Sequence, residues 1–258
     1  MPSCHDTIRI LTVTIRFFPF PLIFAILISQ KHRKGIHCMK KQGMKYLYTG
    51  MAGMVAFTLW TWLIRVVDVR IAGESQTPVG FATINCRFHD LTGVHMGLYT
   101  ATDWLGLVPV FGCLLMGTVG LVQLIHRRKL RKVDMDILLL GVYYLLVMGA
   151  YLLFECIPIN YRPILIDGRL EASYPSSTTL LVLSVMPTLV FQIRRRIRNL
   201  RLQPWLIGLV MVVSLFMVLG RLISGVHWLT DIVGSVLLSF GLYRSYLAAV
   251  LLTGKEYP

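Results

Sequence analysis

The 258-residue chain is 55% hydrophobic and only 15% charged, and its formal net charge is +14. Soluble domains carry about 25% charged residues, so this composition, with a mean hydropathy of +0.67, excludes an ordinary soluble protein. It predicts an integral membrane protein.

Apolar runs of roughly 18 residues or more, the length of a membrane-spanning helix, recur along the chain. The first run, Ile8–Ser29, contains Arg9 and Arg16 and lacks a small-residue cleavage site, so it is a poor signal peptide. Six further runs predict core spans: Tyr46–Val67, Trp104–Ile125, Ile137–Ile157, Thr178–Ile193, Pro204–Ile223 and Trp228–Leu252. The predicted fold is all-α, a polytopic membrane bundle of six core transmembrane helices plus a weaker N-terminal hydrophobic segment.

The positions of these runs predict a division of the chain into three parts. We expect residues 1–44 to form an N-terminal extension or extra anchor with a basic loop, 45–252 the six-helix membrane domain, and 253–258 a short cytoplasmic tail. The connection Asp68–Asp103 is too long for an idle loop, and it predicts an interfacial helix around Phe81–Tyr99 that lies over the outer face as a lid.

The positive charge is concentrated in three alternate loops. Basic residues fill segments 31–45, 127–132 and 194–201, whereas segments 68–103 and 155–177 contain more acidic than basic residues. The positive-inside rule puts the basic loops in the cytoplasm and the other segments outside. Because topology and anionic lipids account for the charge, we predict no nucleic-acid partner, with a nucleic-acid patch as the alternative.

The strongest chemical signal is the spacing Arg221-x5-His227-x3-Asp231 in an apolar stretch. Ionisable groups at membrane depth are costly and usually functional. On an unbroken helix Arg221 and His227 would point about 240° apart, so we predict a break at Ser224-Gly225. His227 and Asp231 would share one helix face, where the carboxylate orients the imidazole as in a catalytic triad. The alternative is a buried ion pair that only packs helices.

A second polar segment is expected on the same membrane side. Arg162 follows one span, and Ser176 and Ser177 open the next, where free backbone N–H groups and the helix dipole favour an anion. The alternative for the two serines is simple N-capping of the helix. Together with the two arginines, they favour phosphate binding.

These segments resemble one family. Three motifs in chain order, Arg162-Pro163, Pro175-Ser176-Ser177 and Arg221-x5-His227-x3-Asp231, are similar to those of the type-2 phosphatidic acid phosphatases, over about Lys45 to Leu252. The resemblance implies that His227 is the nucleophile and that Asp231 orients it. It also implies that the phosphate is held by two guanidinium groups and one backbone turn, those of Arg162, Arg221 and Ser176–Ser177.

Two positions depart from the family pattern. Glu155 stands where the family has a Lys, and Thr178 stands where the second motif ends in a His acid. Loss of a general acid costs about 10²–10⁴ in rate, so ordinary monoester hydrolysis should be impaired. Three rescues stay open: a diphosphate substrate with a good leaving group, Glu155 acting as the acid when buried, or Thr178 positioning a water.

The sequence therefore predicts a membrane lipid phosphatase or phosphotransferase. It would act on a lipid phosphate or polyprenyl diphosphate through a phosphohistidine, with the same imidazole activating water, at the extracytoplasmic face of the plasma membrane. We expect no cofactor and no metal, since the five cysteines show no metal-ligand pattern with histidine. The alternative is an impaired family member that binds lipid phosphate as a sensor or scaffold; a transporter is disfavoured because the polar groups gather at one face. The oligomeric state is left open.

Overall fold

The computed structural model describes residues 21–74 and 76–253, with side chains from Cys38 onward. The chain consists of helices and one short hairpin, in the order α1 (Pro21–Val66), β1 (Arg70–Ala72), β2 (Thr77–Val79), α2 (Ala82–Thr92), α3 (Met96–Leu105), α4 (Leu107–Arg127), α5 (Met135–Cys156), α6 (Ser177–Arg196), α7 (Leu202–Ile223) and α8 (Leu229–Leu252). The strands pair antiparallel, with Ile71 opposite Pro78.

Within the described residues, six helical stretches are long and apolar enough to cross a membrane. They are Cys38–Val66 in α1, Met96–Arg127 across α3 and α4, and the whole of α5, α6, α7 and α8. The predicted bundle of six core spans is confirmed. The weaker first run lies largely outside the described residues, as does the expected tail beyond Thr253.

Small polar side chains are buried inside the bundle beside an apolar core, and large apolar side chains cover its outside. Buried positions include the hydroxyl residues Thr179, Ser184, Thr188, Ser235 and Ser239, whereas large apolar side chains are exposed along the spans, among them Phe111, Leu145, Leu146, Leu209 and Val212. Water could not solvate such a surface favourably, but lipid can. The burial pattern therefore agrees with the membrane assignment made from composition.

Helices α1 and α8 approach each other closely through glycines. A Cβ built on Gly53 would lie 2.9 Å from the Gly241 Cα, and a Cβ on Gly50 would lie 2.8 Å from the Ser245 Oγ. Small residues let helix backbones pack tightly in lipid, where no hydrophobic force between helices exists. This contact holds α8, which contains Asp231, against the long first helix.

Two local predictions differ from the structure. Segment 31–45 is helical within α1 and not a loop, because Lys, Arg, Gln and Met are strong helix formers that outweigh the two glycines there. The helix predicted at Phe81–Tyr99 is instead two helices, α2 and α3, separated at Gly93, whose φ of +66° is in the left-handed region. Helix α3 then continues into the span and is not a purely interfacial element.

The two ends of the bundle have different chemistry. At the basic end, Arg196 bonds both Asp134 Oδ2 and Asp136 Oδ2 at 3.1 Å, and Arg127 contacts Asp134 Oδ1 at 2.8 Å. These contacts tie α4, α5 and α6 together. The loop 157–176 and the turn 224–228 lie at the opposite end, so the two polar segments share one side, as predicted.

Candidate active site

His227 lies in the turn between α7 and α8 and is only 4% exposed. The turn begins where α7 ends at Ile223, and Gly225 there has a φ of +72°. The break predicted at Ser224-Gly225 is therefore present. A Cβ on Gly225 would lie 2.0 Å from the Gly93 carbonyl oxygen, so only glycine fits this turn against the α2–α3 connection.

The imidazole of His227 is held by a backbone carbonyl. Its Nδ1 lies 3.2 Å from the Ser173 carbonyl oxygen. A carbonyl only accepts hydrogen bonds, so Nδ1 must be the protonated nitrogen and Nε2 keeps its lone pair. The ring nitrogen with a free lone pair is thereby Nε2.

Asp231 lies near the imidazole, but not in the way that the sequence predicted. Helix α8 begins only at Leu229, so His227 precedes the helix and the shared-face argument is wrong. The Asp231 Oδ2 accepts from the Trp228 backbone N–H at 2.9 Å and lies 3.7 Å from the His227 Nδ1. The Asp231 Oδ1 accepts from the Asn160 Nδ2 at 3.2 Å. Asp231 thus fixes the turn and places a negative charge beside the ring.

Burial is the main influence on the protonation of His227. It lowers the pKa of the imidazole below the ordinary 6.5, and the nearby positive charges of Arg162 and Arg221 act in the same direction. The Asp231 carboxylate opposes them by raising the pKa. The ring is therefore neutral at physiological pH, which is the form that can attack phosphorus.

Arg221 is buried in the last turn of α7. Its Nη2 donates to the Thr178 Oγ1 at 2.7 Å and to the Asp103 Oδ1 at 2.5 Å. Its Nε and Nη1 are buried and have no hydrogen-bond partner among the described residues. Unsatisfied buried donors are costly, so this guanidinium is suited to an incoming anion.

Arg162 lies beside Arg221 across one aromatic ring. The guanidinium carbon of Arg221 is 4.6 Å from the Tyr99 ring centroid, and that of Arg162 is 5.6 Å from the same centroid. The Arg162 Nη2 also pairs with the Glu171 Oε2 at 3.1 Å. The ring of Tyr99 thus brings together the two arginines that the sequence predicted as phosphate ligands.

The two serines have different environments. The Ser176 backbone N–H donates to the Asp231 carbonyl at 3.3 Å, and its hydroxyl donates to the Thr179 Oγ1, so both groups already have partners and the binding of phosphate by this amide stays a prediction. The simple N-cap is not formed, because Ser176 makes no side-chain cap hydrogen bond. Ser177 is the first residue of α6 and lines one cavity with His227. Its amide is the better anion donor of the two.

Glu155 and Thr178 both lie at the site. Glu155 lines the cavity that contains His227 and Ser177, at the end of α5. Its side chain is exposed, so the protein itself does not bury this carboxylate, and its suggested role as the acid stays a prediction. Thr178 accepts a hydrogen bond from Arg221 and so helps to hold the guanidinium, a contact that leaves the suggested water-positioning role untested.

Three residues of the site were not singled out from the sequence. Asp103 and Tyr99 on α3 contact the arginines, and Asn160 contacts Asp231. Asp103 carried a weak signal, since it is an acid directly before the predicted span Trp104–Ile125. Asn160 and Tyr99 carried none, because neither lies in a motif. In the described part of the chain, no group of three or more His, Cys, Asp or Glu residues could hold a metal ion.

Comparisons with known proteins agree with the motifs. Residues 141–252 match the PAP2 superfamily model. The chain is similar to the crystal structure of the first transmembrane PAP2 type phosphatidylglycerolphosphate phosphatase from Bacillus subtilis, with a TM-score of 0.51 and 16% identity over 76% of this chain and 92% of that chain. No curated protein sequence matches significantly. At this identity the structural similarity establishes the fold.

Proposed function

We propose that this chain, whose residues 141–252 belong to the PAP2 superfamily, is a membrane lipid phosphatase or phosphotransferase. The family match supports a phosphatase-type hydrolase in general, and the six spans support a multi-pass membrane protein. The finer proposal is a phosphohistidine mechanism acting on a lipid phosphate or polyprenyl diphosphate. The observation that carries it is the hydrogen bond from the His227 Nδ1 to the Ser173 carbonyl, which leaves Nε2 free to attack.

In the proposed first step, the Nε2 lone pair attacks phosphorus while the bond to the lipid oxygen breaks. The ring becomes positively charged as the N–P bond forms. The negative charge on the Asp231 Oδ2, 3.7 Å from Nδ1, attracts the positive charge on the ring and so stabilises the transition state. The unpartnered Nε and Nη1 of Arg221 supply donors to the phosphoryl oxygens, together with Arg162 and the Ser177 amide.

The second step needs a base other than His227. In the phosphohistidine, Nε2 is bonded to phosphorus and the Nδ1 hydrogen is donated to Ser173. The imidazole then has no lone pair with which to activate water. The expectation that the same ring activates water does not fit this geometry, and another group must take the proton.

We also propose where the reaction takes place. The basic ends of α4 and α6 lie opposite the site, and the positive-inside rule would put that end in the cytoplasm. The site would then face outward from the plasma membrane, within residues 45–252. Residues 1–44 would be an extension outside the catalytic unit.

The decisive experiment measures phosphate release by purified protein in detergent micelles from phosphatidic acid and from undecaprenyl diphosphate. The His227→Ala variant should lose at least about 10³-fold in rate, since the nucleophile is absent. The matched control is His126→Ala, an exposed histidine in the last turn of α4 at the opposite end, which should keep full activity. Acid-labile phosphate on the protein should also disappear with His227. Absence of His227-dependent release from both substrates, with retained binding of phosphatidic acid, favours the sensor or scaffold.

A further inference from the structure

Asp103 contacts the proposed phosphate-binding arginine from outside the family motifs. It lies on α3, ahead of the segment that matches the PAP2 superfamily. The Arg221 Nη2 donates to both the Asp103 Oδ1 and the Thr178 Oγ1, at 2.5 and 2.7 Å. The carboxylate and the hydroxyl are therefore neighbours around a single nitrogen atom.

The two partners of Arg221 differ in exposure. The Asp103 side chain is 60% exposed, whereas that of Arg221 is only 2% exposed. An exposed carboxylate is thus bonded directly to a buried cation, the proposed phosphate ligand. Tyr99, one helical turn earlier on α3, lies against Arg221 and Arg162, so one face of α3 is directed at both arginines.

We infer that Asp103 is the acid–base catalyst that replaces the histidine missing at Thr178, an inference that rests on the proposed phosphatase function. Thr178 has no group acidic enough to serve as a general acid at neutral pH. Asp103 has one, and it is adjacent to the Thr178 hydroxyl through Arg221. A residue from α3 would thereby restore what the second motif lacks.

The proton transfers balance over the two steps. As the His227 Nε2 forms the N–P bond, the P–O bond breaks and its electron pair stays on the lipid oxygen, which takes the proton of the Asp103 carboxylic acid. Water then gives a proton to the Asp103 carboxylate while its oxygen forms a new bond to phosphorus. The N–P electron pair returns to Nε2. The products are a lipid alcohol and inorganic phosphate, and both residues are regenerated.

The proton that Asp103 gives to the leaving oxygen can come from the substrate. A bound phosphate and the Asp103 carboxylate would both lie against Arg221, so a phosphate monoester that binds with one proton can pass it to Asp103. By the second step that proton has moved to the leaving alcohol, and the carboxylate is available as the base.

The test compares leaving groups in the Asp103→Asn variant, whose amide oxygen can still accept from Arg221. p-Nitrophenolate leaves without protonation, so the pre-steady-state burst of p-nitrophenol from p-nitrophenyl phosphate should stay within about threefold of wild type. Phosphorylation of the protein by phosphatidic acid should slow by about 10²-fold or more. Phosphohistidine should accumulate with p-nitrophenyl phosphate, because the second step lacks its base.

Controls separate a catalytic role from a structural one. Asp90→Asn removes another exposed carboxylate, on α2, and should change neither reaction. Adding Thr178→His to Asp103→Asn should restore the phosphatidic acid rate. Equal slowing of both substrates by Asp103→Asn, or leaving-group-selective slowing by Glu155→Gln, would overturn the inference. If wild-type protein and the His227→Ala variant show no difference in burst with either substrate, the proposed function itself is rejected.

Discussion

The carboxylate of Asp231 is bound by the turn that holds His227. Its two oxygens accept from Trp228 and Asn160, and its charge lies 3.7 Å from the imidazole. At an effective dielectric constant of about 20, a charge pair near 4 Å interacts by about 4 kcal/mol. In the proposed mechanism, that interaction appears only when the ring becomes cationic in the transition state.

We therefore expect Asp231→Asn to lower kcat by on the order of 10²- to 10³-fold with little change in KM. Steady-state kinetics on phosphatidic acid measure both constants. The matched control, Asp167→Asn, changes an exposed carboxylate of the loop 157–176 and should leave kcat unaltered. Unchanged kcat in Asp231→Asn, at an unaltered melting temperature, would contradict the role of this charge.

The pH dependence of the reaction follows from the same environment. Burial lowers the pKa of His227 below 6.5, and the ring must be neutral to attack. Activity should therefore persist as the pH falls to 6.5 and decline only at lower pH. Removal of the Asp231 charge takes away an influence that raises this pKa, so the acid limb of Asp231→Asn should move to still lower pH. Substrate ionisation is common to both proteins, so the difference between their kcat profiles isolates the imidazole. A shift of the variant limb to higher pH would refute this assignment.

At the scale of elements, the turn between α7 and α8 decides where His227 points. Gly225→Ala should unfold the protein at lower temperature and abolish phosphate release, because its Cβ would meet the Gly93 oxygen at 2.0 Å and displace the turn. The matched control is Gly93→Ala. Gly93 has a similar positive φ, +66° against +72°, but open space around its Cβ position. It should cost only the backbone strain, about 1–2 kcal/mol. Equal loss of melting temperature in the two variants would show that the contact is unimportant.

The sequence predicted the elements of this fold better than their junctions. Long apolar runs mark spans because lipid requires about 20 apolar residues, and the Ser224-Gly225 break follows from turn chemistry. The start of α8 was predicted to within one residue, at Trp228, but the shared-face argument still placed His227 on the helix with Asp231. The local pattern cannot show that the Asp231 carboxylate accepts from Trp228 and thereby begins the helix after His227.

The site could be predicted only as far as its motifs extend. Arg162, Arg221 and His227 were predicted to converge, and the structure brings them together around Tyr99 and the turn. The contact between Asp103 and Arg221 joins residues 118 positions apart, and no spacing rule pairs them. The long connection predicted as a lid does reach the site, through α3. The contact of Asp103 with Arg221 could be found only from the three-dimensional packing of α3 against α7.

At the scale of the whole molecule, the two ends of the bundle carry different polar groups. The site end gathers buried polar groups around His227. The other end joins Asp134 and Asp136 to Arg127 and Arg196 and lies next to the exposed basic segments. Charged segments of this kind resist transfer across a membrane. In the proposed topology, the basic end therefore sets the orientation of the protein, and the site lies at the other end.

The proposed topology, with the site facing outward and the basic end in the cytoplasm, predicts which loops a membrane-impermeant reagent can label. We expect a membrane-impermeant maleimide on intact cells to label Arg169→Cys, an exposed position in the loop 157–176, in a background whose five native cysteines are replaced. Lys129→Cys, an exposed position just after α4, should be labelled only after the membrane is permeabilised. Both variants replace one exposed basic residue, so they are matched in charge. Labelling of Lys129→Cys in intact cells with protection of Arg169→Cys would reverse the topology and put the site in the cytoplasm. A phosphate released by His227 would then enter the cell, and the proposed outward-facing reaction would be wrong even if the phosphohistidine mechanism held.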